Sequence, residues 1–138
     1  MCPIYFLIGI SLAIFSTQIA FADTPKKSEQ EIATNKWLDL IDKGAYGESW
    51  DQASEVMKNT MKKEEWVQVM NATRKPMGAV NSRQLINQLP AKNPHGLPEG
   101  DYEVLYYKTS FGRKPDAKEL ITLRLEKDGW KVLTYQRD

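Results

Sequence analysis

The chain has 138 residues, 19 Lys and Arg against 18 Asp and Glu, and one cysteine, which is the length of one domain. A balanced charge excludes the basic footprint that nucleic-acid binding requires, and it gives no electrostatic reason to adhere to an anionic membrane. With Cys2 as the lone thiol, disulfides, thiolate nucleophiles and cysteine-ligated metals are excluded from the rest of the chain.

No charged side chain occurs before Asp23. Ile4 to Phe15 is almost wholly apolar, Ser16-Thr17-Gln18 break the run, and Ala20-Phe21-Ala22 present small residues where a signal peptidase reads them. This order predicts a secretory signal peptide over residues 1–22, cleaved near Ala22. The apolar core falls short of the ~20 residues a stable transmembrane helix needs, although an uncleaved anchor is the alternative, since the segment has no Lys or Arg. The expected location is therefore periplasmic or secreted, with no transmembrane segment in the mature form. Cys2 is not at the cleavage site and is not placed for lipidation.

Residues 23–30 (DTPKKSEQ) read as a polar linker, and residues 31–138 as one α+β domain. Ala33, Trp37, Leu40 and Ile41 form one stripe of an amphipathic helix that Gly44 closes. A second stripe runs Tyr46, Trp50, Ala53 and Met57. A third helix is expected from a Thr60 N-cap, with Trp66, Val69, Met70 and Thr73 on one side, Arg74-Lys75 complementing its C-terminal dipole, and Pro76 and Gly78 stopping it.

After Gly78 the period changes to two. Ala79 to Leu89 reads as a strand of mixed character, and Pro90 to Gly100, with three prolines and two glycines, reads as a loop. Asp101 to Phe111 is the strongest strand, with Tyr102, Val104 and Tyr106 on one face and Leu105 and Tyr107 on the other, as a central strand requires. Gly112 to Ala117 is a turn. Leu120 to Glu126 alternates Ile121, Leu123 and Leu125 against Thr122, Arg124 and Glu126. Asp128-Gly129 marks a hairpin turn, and Trp130 to Tyr135 is the return strand. The expected fold is thus three N-terminal helices packed on one face of a roughly four-stranded, curved antiparallel sheet.

The candidate functional residues are few. Trp37, Trp50 and Trp66 each lie on an apolar stripe, and with Trp130 they read as core wedges rather than a ligand platform. His95 is the only histidine and has no nucleophile partner. Glu64 and Glu65 complement a helix N-terminus, while Glu119 and Glu126 read as solvated groups with no glycosidase-like pairing. The Arg74-Lys75-Pro76-Met77-Gly78 corner, followed by Arg83, supports two readings. In one it is an anion-recognition corner, because guanidinium forks onto carboxylate or phosphate. Alternatively, Arg74 caps helix carbonyls while Arg83 pairs with an acid on a neighbouring strand.

The ordered landmarks Tyr46-x3-Trp50, Arg74-x-Pro76-x-Gly78 and Asp128-Gly129-Trp130, together with Trp37, Trp66, Ser82-Arg83, Gly100-Asp101-Tyr102, Phe111 and Tyr135, resemble domain-of-unknown-function family 4019, small exported bacterial proteins. The resemblance spans nearly the whole chain after the signal segment. It implies a bacterial periplasmic protein and carries no activity. Thr134 stands where that pattern has glycine. The element order is also similar to cystatin-like and NTF2-like cone folds, an analogy of fold only.

Three functions remain. A non-catalytic binding module would use Arg74, Arg83, Tyr102 and Tyr106 to hold an unknown small ligand or a partner segment. An envelope-assembly partner would show a large exposed apolar patch. A periplasmic enzyme would rely on His95, Glu103 or Glu119 as acid–base groups. None of the three requires a metal or cofactor.

Overall fold

A computed structural model of the chain describes residues 24–138; the expected signal segment lies outside them. The chain first forms α1 (Glu29–Asp42), α2 (Tyr46–Asp51), α3 (Glu55–Thr60) and α4 (Lys63–Thr73), then a 3-10 turn (Lys75–Met77). Strands β1 (Val80–Lys92), β2 (Asp101–Phe111), β3 (Ala117–Glu126) and β4 (Gly129–Arg137) follow and pair antiparallel in the order β1-β2-β3-β4. This is the expected α+β architecture, with four helices in place of three.

The extra helix comes from a break at Ser54. Its ψ of 145° is extended, and its N–H donates to the Val132 carbonyl of β4 at 2.8 Å. The Ser54 hydroxyl donates to Glu126 Oε1 at 2.5 Å and accepts from the Val56 N–H. A residue bonded to the sheet edge in this way cannot continue the helix, so the Tyr46–Met57 stripe divides into two short segments. Two boundaries also move. Ser28 caps α1 by accepting from the Glu31 N–H, which draws the end of the expected linker into the domain. Lys62, rather than Thr60, precedes α4; Thr60 ends α3 with its hydroxyl on the Val56 carbonyl.

In the sheet, β1 runs three residues beyond its expected end and takes in Pro90, opposite Glu103. An edge strand tolerates the missing N–H, since only one side of it needs ladder bonds. The loop is thereby shortened to the stretch between Lys92 and Asp101. In the last hairpin Glu126 pairs with Gly129, so Lys127 and Asp128 are the two loop residues and Gly129, at φ 117°, opens β4. Register shifts between Leu85 and Asn87 in β1, and opposite Thr122 and Leu123 in β4, are bulges that bend the strands. The second falls next to Thr134.

The inner face of the sheet contributes Leu105, Tyr107, Ile121, Leu123 and Tyr135 to one core with Trp37, Leu38 and Ile41 of α1 and Trp66 and Met70 of α4. Trp37 stands 6.0 Å from Trp66 and 5.6 Å, edge-on, from Tyr135. Buried indoles need acceptors, and Ser49 of α2 serves two of them. Its carbonyl accepts from Trp37 Nε1 at 2.8 Å and its hydroxyl from Trp66 Nε1 at 2.9 Å. Trp50 is half-buried and bonds the Met61 carbonyl, whereas Trp130 is half-buried against the core edge. Two of the four tryptophans are thus less enclosed than their stripes predict. Among the described residues no helix is long and apolar enough to cross a membrane.

Candidate functional site

Gly78 turns the chain from the helical layer into the sheet. Its φ of 84° and ψ of −165° suit glycine alone, and its carbonyl accepts from Arg74 Nη1 at 2.8 Å. Arg74 therefore folds back over its own corner. Its side chain is 3% exposed, its guanidinium sits 4.4 Å from the Phe111 ring centroid, and Nη2 reaches Asp42 Oδ1 at 3.1 Å.

Arg83 arrives at the same carboxylate from β1. Nη1 donates to Asp42 Oδ2 at 2.7 Å and Nη2 to Asp42 Oδ1 at 3.1 Å. Its other edge meets Glu119 of β3, with Nε at 2.6 Å and Nη2 at 3.1 Å. The two arginines and two carboxylates form a chain of pairs whose formal charges cancel. Burial alone would pull the Arg83 pKa down, but the hydrogen bonds and charges of Asp42 and Glu119 outweigh it and hold the guanidinium firmly protonated.

Glu119 is the centre of this arrangement. Its side chain is fully buried, and besides Arg83 it accepts from the Thr109 and Tyr135 hydroxyls, each at 2.5 Å. Burial, followed by the Glu119 charge and hydrogen bond, raises the Tyr135 pKa well above the ordinary phenol. Both oxygens of Glu119 are occupied by donors, so it has neither room nor free lone pairs to take a substrate proton. The solvated Glu119 and Glu126 of the sequence reading are corrected: Glu126 is also anchored, by the Ser54 hydroxyl and the Glu55 N–H.

Of the four residues expected to bind a ligand, the structure brings together Arg74 and Arg83 alone. Tyr102 pairs with Ala91 whereas Arg83 pairs with Thr109, a separation of roughly 25 Å along the sheet at strand rise. The Tyr102 ring is buried, and its hydroxyl donates to the Pro98 carbonyl at 2.6 Å while accepting from Arg124 Nε. Tyr106 is 37% exposed on the face of the sheet away from the helices, near Ile86 and Leu120. His95 is exposed in the loop before β2, and Glu103 is buried on the inner face of β2, so neither joins Glu119. Among the described residues no group of three or more His, Cys, Asp or Glu could hold a metal ion.

Sequence reasoning missed Asp42, Thr109 and Tyr135 as members of the cluster. Asp42 carried a signal. It is the last residue of α1, where the helix dipole disfavours a carboxylate unless a cation meets it.

Two grooves flank α1. One, of about 320 Å³, runs between α1 and β1 and is walled by Glu31, Asp39, Arg83 and Tyr107. The Tyr107 hydroxyl is buried there without a hydrogen-bond partner among the described residues, and burial, then the charge of Glu31, raises its pKa. The other, of about 340 Å³, lies between α1 and the β3–β4 hairpin, with Glu29, Lys36, Gln52 and Trp130 among its walls. Neither groove presents a nucleophile beside a base, the pairing that covalent catalysis requires.

Four bent antiparallel strands covered on one face by N-terminal helices define an NTF2-like α+β fold. A Campylobacter jejuni protein named as an NTF2-like transpeptidase has a solved structure similar to this chain, with a TM-score of 0.54 at 16% identity, covering 78% of this chain and 99% of that one. At that identity the likeness is one of fold. The family DUF4019, described as a protein of unknown function, matches residues 33–135, and the chain belongs to it. No curated protein matches the chain.

Proposed function

We propose that this chain is an exported, non-catalytic binding module that holds a small ligand in the groove between α1 and the β3–β4 hairpin. The observation that carries this reading is the contrast between two sets of polar groups. The ion-paired set, Asp42, Arg74, Arg83 and Glu119, has its charges matched within itself and is neutral. Glu29, Lys36 and Gln52 instead project around a half-buried indole in an open groove and form no ion pair among the described residues. Ligand sites combine apolar walls with a few unengaged polar groups in this manner. Arg74 and Arg83 are scaffold in this reading, and the anion-recognition role is given up because their charge is already met.

Native mass spectrometry of the protein purified gently from its own bacterial envelope tests the proposal. The expected result is an added mass that disappears on denaturation. A bare chain under the same conditions contradicts it.

One observation favours a second reading, the envelope-assembly partner. Ile86, Leu89 and Tyr106 are 57%, 46% and 37% exposed on or beside the edge strand β1, where unpaired backbone and apolar side chains together offer a surface to another protein. Crosslinking in intact cells from a position in β1 separates the two. A single recurrent protein adduct supports the assembly role, and its absence beside a retained small mass supports the groove.

A further inference from the structure

We propose that the ligand of the α1–hairpin groove is a saccharide, an inference that rests on the binding-module reading and adds the chemical class. Trp130 supplies the first argument. It follows the hairpin turn and lines the groove while only half-buried. A flat indole kept partly exposed suits a ring with an apolar face, and a pyranose has one in its axial C–H groups. Ile32 extends that apolar strip along the rim and is 53% exposed. Gly129, which also lines the groove, leaves open space beside Trp130, since a Cβ placed on it would meet no atom within 4 Å.

Charge supplies the second argument. Glu29 and Asp128 are opposed by Lys36 and Lys131, and Lys131 already pairs with Asp128 at 3.0 Å. The groove as a whole is neutral, so a phosphorylated ligand or a polycation gains little there. What remains is a mixture of donors and acceptors: the Lys36 ammonium, the Gln52 amide and the Glu29 carboxylate. Hydroxyl groups both donate and accept, and they match that mixture as a phosphate or an acyl chain does not.

Size and the state of the sheet edge supply the third. About 340 Å³ is at the small end of ligand pockets, room for roughly one or two sugar rings. A peptide would be expected to bind by adding a strand to the edge, but at β4 the Val132 carbonyl is already taken by the Ser54 N–H. The groove therefore offers side-chain contacts rather than a free ladder.

The test is ¹H–¹⁵N NMR of the mature chain titrated with cellotetraose, chitotetraose and, as the peptide control, tetra-alanine. The expected result is a saturable shift of the Trp130 indole resonance with at least one sugar, while the Trp66 indole, which is bonded to Ser49 and does not line the groove, stays in place. Lys36→Ala combined with Gln52→Ala, both exposed positions, should weaken the sugar about tenfold or more, the loss expected for two hydrogen bonds. Trp130→Phe should keep the fold and retain weakened binding. A Trp130 shift with tetra-alanine and none with either sugar overturns the saccharide assignment while leaving a binding groove. No response to any probe overturns the saccharide assignment, and together with a bare chain in native mass spectrometry it overturns both.

Discussion

Arg83 Nε donates to Glu119 Oε2 across 2.6 Å, tying edge strand β1 to β3 over the top of β2. The same guanidinium reaches Asp42 at the end of α1, so one side chain fixes the helix to the sheet. Breaking a buried pair from one side leaves an uncompensated charge, which costs ~3–5 kcal/mol, whereas replacing both partners with apolar groups is often neutral. Arg83→Met should therefore lower unfolding free energy by an amount in that range in urea melts. Adding Glu119→Leu should restore part of it, short of the full loss because the Thr109 and Tyr135 hydroxyls then lack their acceptor. A double variant as unstable as the single one would remove the ion pair from this account.

The two buried tyrosines of the inner face should respond in opposite ways to loss of their hydroxyls. Tyr135→Phe takes a donor from Glu119 and should cost ~1–3 kcal/mol. Among the described residues the Tyr107 hydroxyl has no partner, so Tyr107→Phe should be neutral or stabilising, because it removes a desolvated polar atom. Denaturant melts of both variants beside the parent check the contrast.

Those same hydroxyls make the stability of the fold sensitive to alkaline pH. Burial is the first cause that raises both tyrosines above the ordinary phenol pKa. The folded state therefore holds these protons after the unfolded chain has released them. The stability contribution is complete below about pH 10 and declines as pH rises above it, by up to about 1.4 kcal/mol per pH unit for each tyrosine. Melting temperature against pH should show this decline in the parent and a shallower one in Tyr107→Phe. An unchanged slope would mean that Tyr107 ionises as freely folded as unfolded.

Gly78→Ala tests the corner that sets Arg74 in place. A Cβ there has ordinary contact distances, 3.7 Å to Arg113 N and Gly112 Cα, so space is not the obstacle. The backbone is, since φ 84° with ψ −165° costs a side-chain-bearing residue on the order of 1–3 kcal/mol. A loss of that size is expected by thermal denaturation, and no loss would show that the corner relaxes without displacing Arg74.

The proposed export makes a separate prediction from residues 1–22. The secreted form recovered from bacterial cells should begin at Asp23 by N-terminal sequencing. A chain that retains Met1 in the membrane fraction would establish the uncleaved anchor instead.

Much of the fold was legible because its signals are local. The period-two alternation of Tyr102 to Phe111 and the stop at Pro76 and Gly78 follow from backbone sterics and side-chain alternation, which need no tertiary information. The break at Ser54 was not legible, because it is caused by the Val132 carbonyl of a strand far along the chain. Pro90 misled for a related reason: it ends a central strand, yet β1 is an edge. At the site, Glu119 was partly readable. Counting back by twos from Leu123 and Ile121 puts it on the buried face. Nothing local, however, shows that Arg83 crosses β2 to meet it. The groove at Trp130 was missed since a half-exposed tryptophan and a core tryptophan have the same sequence pattern.

The central claim is that ligand binding belongs to the α1–hairpin groove and not to the arginine cluster. Native mass spectrometry of the parent chain and of the Lys36→Ala, Gln52→Ala double variant, both purified from the envelope, tests it most directly. The expected result is a retained mass on the parent that is lost from a variant of unchanged melting temperature. The same mass retained by the variant, or none on the parent, would contradict the claim.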